Sequence, residues 1–593
     1  MYDRSSGRLW AAALAGASIA ALAVGTTCAQ TPSPQTPSSS TTTREQLNPA
    51  KSTEAASRRR ADIFSAPEQA PCPFKSSDIR FTLKSVQVSG SSILSANDIQ
   101  RAYADMVGRP QPVAAICEIR DRLAIQLFRR GVLARVEVPA QRILPTEGRV
   151  RLEVIEARIV AVRYHTVGNI GPAQRKVEQY LDRLRGLAPF DLDTAQHYLL
   201  LANDIPGVQV IATPKPSTAP AVSAEAARGA LDLDVQISRR ALDEVAAVQN
   251  TSSKTLGPWS GVVRVDLNSF TRFGERTSLI AYSTLGNQEQ EVVQLLEEAR
   301  FGGHGLTARA SFAYGRSRPG DVLAPLKLKG ESYVGAFEMD YPLVHLRRKS
   351  LTLGTGMDFV NQNTEFPGGG ALSDDSLRVV WARAEGSGQH LFGAPVAGAD
   401  MTTSGSLSLE VRKGLDTLGA SRAGTPSLSR IEGKPDAVVV RADGQGSVLL
   451  DPAQGRLVPL ALAVHVQGQW ADKPLLSYEE QAIGNLTIGR GYDPDALSGD
   501  RVIASEFKAQ VGPIALWRGF SLAPYGFYDV ARVTNLDPGS QDRTVRSVGG
   551  GAELRLTHGL RADVAYAMPL DKPFAAATTT PPARVLLQIV FAH

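Results

Sequence analysis

KSLTLGTGMDFV, residues 349–360, alternates along its length: Leu351, Leu353, Met357 and Phe359 oppose Ser350, Thr352, Gly354, Gly356 and Asp358. A period of two marks a β-strand, whose successive side chains leave opposite faces. Two all-β readings fit, a soluble sandwich or propeller and a transmembrane barrel. A barrel turns apolar residues to lipid and small or polar ones to a wet lumen, with strands of about 9 to 11 residues. Glycine, serine, threonine and arginine occupy much of the second face here, which favours the barrel.

The pattern recurs from about residue 241 onward. In GVVRVDLNSF (261–270), Val263, Val265 and Leu267 oppose Arg264, Asp266 and Asn268. AELRLTHGLRADVAYAM (552–568) predicts a hairpin about His558-Gly559, and Val585, Leu587, Ile589 and Phe591 share one face of the closing RVLLQIVFAH. At roughly 22 residues per strand and turn, residues 241–593 accommodate about 16 strands. The Gly- and Ser-containing stretch 421–456 is expected to be one long extracellular loop.

Upstream the texture is α+β. FTLKSVQVSG (81–90) predicts a strand; Ser95 then offers a helix cap with Asp98 three residues on, and Gly108 a stop. Ile116, Ile119, Leu123 and Leu127 recur at helical spacing up to Gly131, and strands follow from Val132 and Arg149. The order strand, helix, helix, strand, strand then repeats: a strand at 158–165, helices at 173–184 and 192–203, strands at 207–213 and 230–238. Leu231, Leu233, Val235 and Ile237 alternate with Asp232, Asp234 and Gln236, as a half-buried strand requires.

At the N-terminus, Arg4 and Arg8 precede an apolar run over 9–25, and Thr27-Cys28-Ala29 supplies small residues for cleavage, so 1–29 reads as a secretory signal peptide. Residues 30–77 begin with TPSPQTPSSSTTT, a flexible spacer, and continue with a Pro-interrupted segment in which a short helix has room. Export leaves Cys72 and Cys117 in an oxidising compartment, where they form either a disulfide or two separate buried thiols.

Composition excludes several functions. A net charge of +5 with scattered basic residues gives no nucleic-acid footprint. There is no Walker A sequence, no G-x-S-x-G elbow and no H-E-x-x-H, and the eight histidines are dispersed, so no enzyme activity, metal or cofactor is expected.

Taken together, the signal, the spacer, two βααββ modules and the barrel resemble the TpsB transporters of two-partner secretion, the hemolysin and filamentous-hemagglutinin secretion and activation proteins. On that resemblance residues 78–157 and 158–240 are polypeptide-transport-associated (POTRA) domains, and 241–593 an outer-membrane barrel. VPAQRILPTEGRVRLEVIEA (138–157) is similar to the segment closing the family's first POTRA domain. Gly489-Arg490-Gly491-Tyr492 matches the family's V-R-G-Y/F, with glycine at the apolar first position. Phe527-Tyr528-Asp529-Val530-Ala531 is similar to its F-x-D-x-G, with alanine in the last place.

The resemblance implies a long extracellular loop folded into the lumen, bringing Arg490, Gly491 and Tyr492 to a wall carrying Phe527 and Asp529. It also implies a Gram-negative outer-membrane location, pore activity and, as partner, an unfolded TpsA-like β-helical exoprotein of hemolysin or adhesin type. A monomeric barrel in outer-membrane lipid, with a lumen-plugging helix near 44–64, belongs to the same expectation. Candidate recognition surfaces are the strands 207–213 and 230–238, by strand addition, and the helix 192–203. The rival readings are an insertase of the same superfamily, which generally carries more POTRA modules, and a passive nutrient or heme uptake channel.

Overall fold

The computed structural model describes residues 43–48, 71–143, 147–218, 227–286, 289–391, 399–452, 458–484, 487–494, 496–517, 519–556, 559–573 and 579–592. The signal peptide and most of the spacer lie outside them.

In the first module Arg149–Glu156 is the central strand, parallel to Ser85–Ser89 and antiparallel to Ala134–Glu137. Helix Ala96–Tyr103 opens with a reciprocal cap between Ser95 and Asp98. Helix Ala115–Arg129 lays Ile116, Ile119, Leu123 and Leu127 onto Leu83, Val150 and Leu152. The expected strand over 81–90 is two strands. Arg80–Thr82 pairs with Pro110–Pro112, because the backbone at Leu83 and Lys84 is taken by bonds with Gly108 and Gly148. Cys72 and Cys117 are joined by a disulfide, Cα to Cα 5.8 Å, tying the entering chain to the second helix.

The second module repeats the plan. Ala230–Arg239 is central, parallel to Arg158–Val167 and antiparallel to Val208–Pro216. Helices Ala173–Leu181 and Leu192–Asn203 cover one face over Val177, Tyr180, Leu199, Leu233, Val235 and Ile237. The first helix ends at Leu181, and Asp182–Leu184 tightens into a 3-10 turn rather than continuing it.

This module is fastened to the barrel. The Ser269 hydroxyl donates to Pro206 O at 2.7 Å, Arg300 donates to Asp204 O at 2.5 Å, and Lys176 to Gly302 O at 3.3 Å. Leu201 lies so close to Gly305 that a Cβ there would come within 2.6 Å of it. At the same joint His197 and His345, far apart in sequence, meet edge to face with ring centroids 6.3 Å apart.

Among the described residues, 16 antiparallel strands form a closed barrel, the first, Leu242–Gln249, pairing with the last, Arg584–Ala592. One strand is interrupted at Gly512-Pro513, and its pieces, Arg501–Val511 and Ile514–Trp517, both pair with Phe520–Thr534. Closure leaves the sheet no open edge, where lipid would offer unpaired backbone groups no partner at a cost of several kcal/mol each. Leu351, Leu353, Phe359, Val263 and Leu267 face outward, whereas Arg264, Asp266 and Asn268 are buried inside. Several strands outrun a bilayer, up to 21 residues in Ala371–Leu391.

The stretch 421–456 is not one loop. Residues 415–437 connect two strands, and Val438–Pro452 is a strand between Ala399–Gly414 and Leu460–Ala471. Its alternation is hidden by small residues that face small residues: Gly446 opposes Gly405, and Ser447 opposes Ser404 with hydroxyls 2.7 Å apart. There the backbone ladder sets the strand, and side-chain pattern does not reveal it.

Candidate functional site

Loop 472–500 is itself a hairpin. Gln481–Ile483 pairs with Leu497–Gly499, and the tip between them turns inward against the barrel wall. Ile483, Ile488, Tyr492 and Leu497 pack there on Val502, Ala504, Ala531, Val533 and Val545. The tip reverses at Gly489, whose φ of +113° suits glycine rather than the family's apolar residue.

Arg490 faces Asp529 on strand Phe520–Thr534. Its backbone N–H donates to Asp529 Oδ2 at 2.9 Å, Nε to the same oxygen at 3.3 Å, and Nη2 to Oδ1 at 2.8 Å. Glu506 Oε1 lies 2.9 Å from Nη2, and the Ser547 hydroxyl donates to Asp529 at 3.1 Å. Asp529 is 1% exposed. The carboxylate is thus saturated by a forked, charge-assisted contact in a sheltered place.

The neighbouring motif residues have separate tasks. A Cβ on Gly491 would come within 2.8 Å of Pro569 N and of Ser547 Cβ, so glycine lets the loop backbone touch the wall. The Tyr492 hydroxyl lies 2.9 Å from the carbonyl oxygens of Arg546 and Asp571 and accepts the Asp571 N–H at 3.0 Å. Phe527 turns inward beside Asp529 and supports the guanidinium, while Tyr528 points out. Its ring fits because the opposing residue is Gly549, where a Cβ would lie 2.5 Å from Phe527 Cζ.

Several contributors carry no recognisable signal in sequence. Glu506, Ser547 and Arg584, which donates to Tyr492 O at 2.6 Å, sit on different strands and meet only through barrel closure. The run Gly549-Gly550-Gly551 facing two aromatic positions is the one visible cue. Glu479, at the loop base, is bound by Arg412 at 2.9 Å and Arg441 at 3.2 Å.

That contact ends a chain of paired charges along the inner wall. Glu298 meets Arg276, Arg300 and Arg309 at 3.1, 2.8 and 2.8 Å. Arg309 continues to Glu338 and Asp340, Arg383 reaches Asp340, and Arg412 holds Asp358 and Glu410. Between loop tip and wall remains a cavity of about 320 Å³, lined by Arg490, Thr487, Lys508, Tyr525 and Asp563. Residues 43–48 form a turn inside the barrel, with Leu47 packed on Val360, Leu377, Leu428, Leu476 and Tyr478; the rest of the expected plug helix lies outside the described residues. Among the described residues no group of His, Cys, Asp and Glu is arranged to hold a metal ion.

The candidate recognition surfaces need correction. Ala230–Arg239 is paired on both sides and offers no edge. Helix Leu192–Asn203 directs Leu201 at the barrel. Val208–Pro216 is an edge strand, but Asn203 covers it: its amide donates to Val210 O at 3.1 Å and accepts the Val210 N–H at 2.9 Å. Val208 is bonded to Ile205, and Pro214 and Pro216 have no N–H. Among the described residues this leaves Ala212 as the outward position with an N–H.

Tandem α+β modules fastened to the rim of a closed barrel, with an external loop bound inside its lumen, define a class: outer-membrane transporters built of POTRA domains and a barrel. The family model described as haemolysin secretion/activation protein ShlB/FhaC/HecB matches residues 230–556, and that of the ShlB-type POTRA domain matches 81–157. The chain belongs to this family, the TpsB transporters of two-partner secretion, and is an outer-membrane protein with periplasmic POTRA domains.

Solved structures agree on the fold. CdiB from Escherichia coli is 14% identical, with a TM-score of 0.66 over 92% of this chain and 96% of that one. CdiB from Acinetobacter baumannii is also 14% identical, with a TM-score of 0.61 over 93% and 97%. BamA from Haemophilus ducreyi lacking POTRA domains 1–3 is 13% identical, with a TM-score of 0.50 over 87% and 100%. Comparison with curated protein sequences finds no match.

Proposed function

We propose that this transporter captures an unfolded exoprotein, of hemolysin or adhesin type, through its POTRA domains and passes it outward through the barrel. Loop 472–500 is the closure that must yield. The observation carrying this reading is the Arg490–Asp529 contact, which binds an external loop to the inner wall. The loop tip and the turn at 43–48 both pack against the inner wall, so a polypeptide passes only once they move.

The residues suggest how the steps connect. The second module is bonded to the barrel rim at Ser269, Arg300 and Gly302, so cargo held there is delivered at a fixed place on the rim. With its edge reduced to Ala212, that module takes cargo through side-chain surfaces more than through an extended added strand. The arriving chain displaces the turn at 43–48, which occupies the lumen as part of a plug, and then the loop tip. Outside the cytoplasm no ATP is at hand, and folding of the exoprotein beyond the membrane makes passage irreversible.

The test is export of a TpsA-type exoprotein, co-expressed with the transporter in a host that lacks both proteins. The exoprotein should reach the medium only when the transporter is co-expressed. Equal export without it would sink the reading, and a general loss of outer-membrane barrels on deletion would point to an insertase instead.

A further inference from the structure

Loop 472–500 is also held at its base, by a residue of another loop. Arg430, in loop 415–437, places Nη1 2.6 Å from Asp500 Oδ1 and Nη2 3.2 Å from Asp500 Oδ2. Nη1 lies 2.8 Å from Glu480 Oε1 and donates to Leu475 O at 2.9 Å, and Nη2 also bonds Asp537. Asp500, fully buried, accepts the N–H groups of Leu475 and Leu536, both at 2.7 Å. One guanidinium and one carboxylate therefore knot three extracellular loops, 415–437, 472–500 and 535–542. The approach is close: a Cβ on Gly433 would come within 2.6 Å of Leu476.

We infer that Arg430 is a positioning residue for closure: holding Asp500 and Glu480 at the outer mouth, it aims the loop tip so that Arg490 meets Asp529, and this clasp opens when the loop leaves the lumen. The inference rests on the closing role proposed for loop 472–500. The geometry suits a releasable clasp better than a permanent one. Three carboxylates, Asp500, Glu480 and Asp537, share a single guanidinium, and a buried acid without a full countercharge is costly.

Glu480 is the weak member. It is faced by Arg430, Asp500 and Asp537 and accepts the Ser498 hydroxyl at 3.0 Å. Burial first, then the neighbouring Asp500 and Asp537 charges, push its carboxyl up to about 7 against the opposing pull of Arg430. Closure thus favours the neutral acid. Its contribution is present in full below the ordinary carboxyl range and is lost as pH rises through about 7.

The experiment is planar-bilayer recording of the full-length protein as wild type, R430A, R490A, R430A/R490A and E480Q, with heat-modifiable migration as the check of folding. R430A is expected to open about tenfold more often than wild type, and the double variant no more often than R490A alone. E480Q should remove the rise in opening frequency between about pH 5 and 7. Opening by R490A with R430A at the wild-type level overturns the clasp and leaves the closing loop standing. Silence of both variants overturns both. Additive opening in the double variant would show that Arg430 acts independently of Arg490 and would also overturn the clasp. If R430A does not insert, R430K, which keeps the charge but loses the fork, is measured against the same expectations.

Discussion

The Arg490 guanidinium carbon stands 3.5 Å from the centre of the Phe527 ring, with Asp529 two residues farther along the same inward face. Stacking and a forked carboxylate contact act on one flat cation, which a lysine ammonium cannot reproduce. Removing one partner of such a buried pair costs about 3–5 kcal/mol, against about 0–1 for an exposed pair. Arg490→Ala should therefore insert and fold normally but leave the loop tip unseated, so that the pore opens more often and, with no seated loop to guide the chain outward, exports poorly; Arg490→Lys should recover only part of the loss. Export at the wild-type level by the alanine variant, measured as exoprotein in the medium, would end the closing role.

Gly491→Ala tests backbone contact rather than charge. The added Cβ meets Pro569 and Ser547 at 2.8 Å, and overpacking of this kind costs about 1–3 kcal/mol. The loop tip should lift off the wall with Arg490 unchanged, making residues near 490 cleavable by protease added outside cells. A loop as resistant as in the wild type would show that the strands yield instead.

Asn203→Ala should uncover the edge of Val208–Pro216. The Val210 N–H and C=O lose their side-chain partner, and an unsatisfied buried group costs about 1–3 kcal/mol. Hydrogen exchange at the Val210 amide should speed up by about tenfold or more. Unchanged exchange would mean that another group takes the place of Asn203.

Acid should act on the first module through Asp98. Its carboxyl is held down to about 2, chiefly by the Ser95 side chain and backbone, with help from Arg101 and Arg130. A depressed acid stabilises above its unfolded value and loses that contribution as pH falls toward its folded one. The protection that Asp98 gives helix Ala96–Tyr103, read as the difference in hydrogen exchange from Asp98→Asn, should be full at neutral pH and shrink between about pH 4 and 2. A pH-independent difference would assign the effect to packing.

Cys117→Ser opens a ring with a sequence separation of 45, and loss of such a cross-link typically costs about 2–4 kcal/mol. The first module should become protease-sensitive at a lower temperature while the barrel keeps its heat-modifiable migration. Equal protease resistance would show that the core around Ile116 and Leu123 suffices.

Strand alternation made the barrel legible because lipid and lumen impose opposite chemistry on successive residues, as at Leu351 and Thr352. Repeated βααββ order made the two modules legible for a similar reason, since helical spacing at Ile116, Ile119 and Leu123 has few other uses. Val438–Pro452 escaped because glycine and serine facing glycine and serine leave no contrast between faces. The short motifs pointed to Arg490 and Asp529, but the residues that hold them in place belong to other strands and loops. Glu506, Ser547, Gly549 and Arg430 are neighbours only after closure, and no local pattern announces them. Strand 230–238 is a candidate for strand addition from sequence because alternation marks a strand but not its order in the sheet, where both its sides are paired.

The paired charges along the inner wall give the pore a particular texture. Glu298, Arg309, Asp340, Arg383 and Arg412 already hold partners, so a charged group sliding past must displace one contact to make another. For an exoprotein passing as proposed, such exchanges would nearly cancel, and no paired charge would act as a deep well. On the proposed route the lumen would be a bearing: densely charged, yet with little grip on any particular sequence drawn through it.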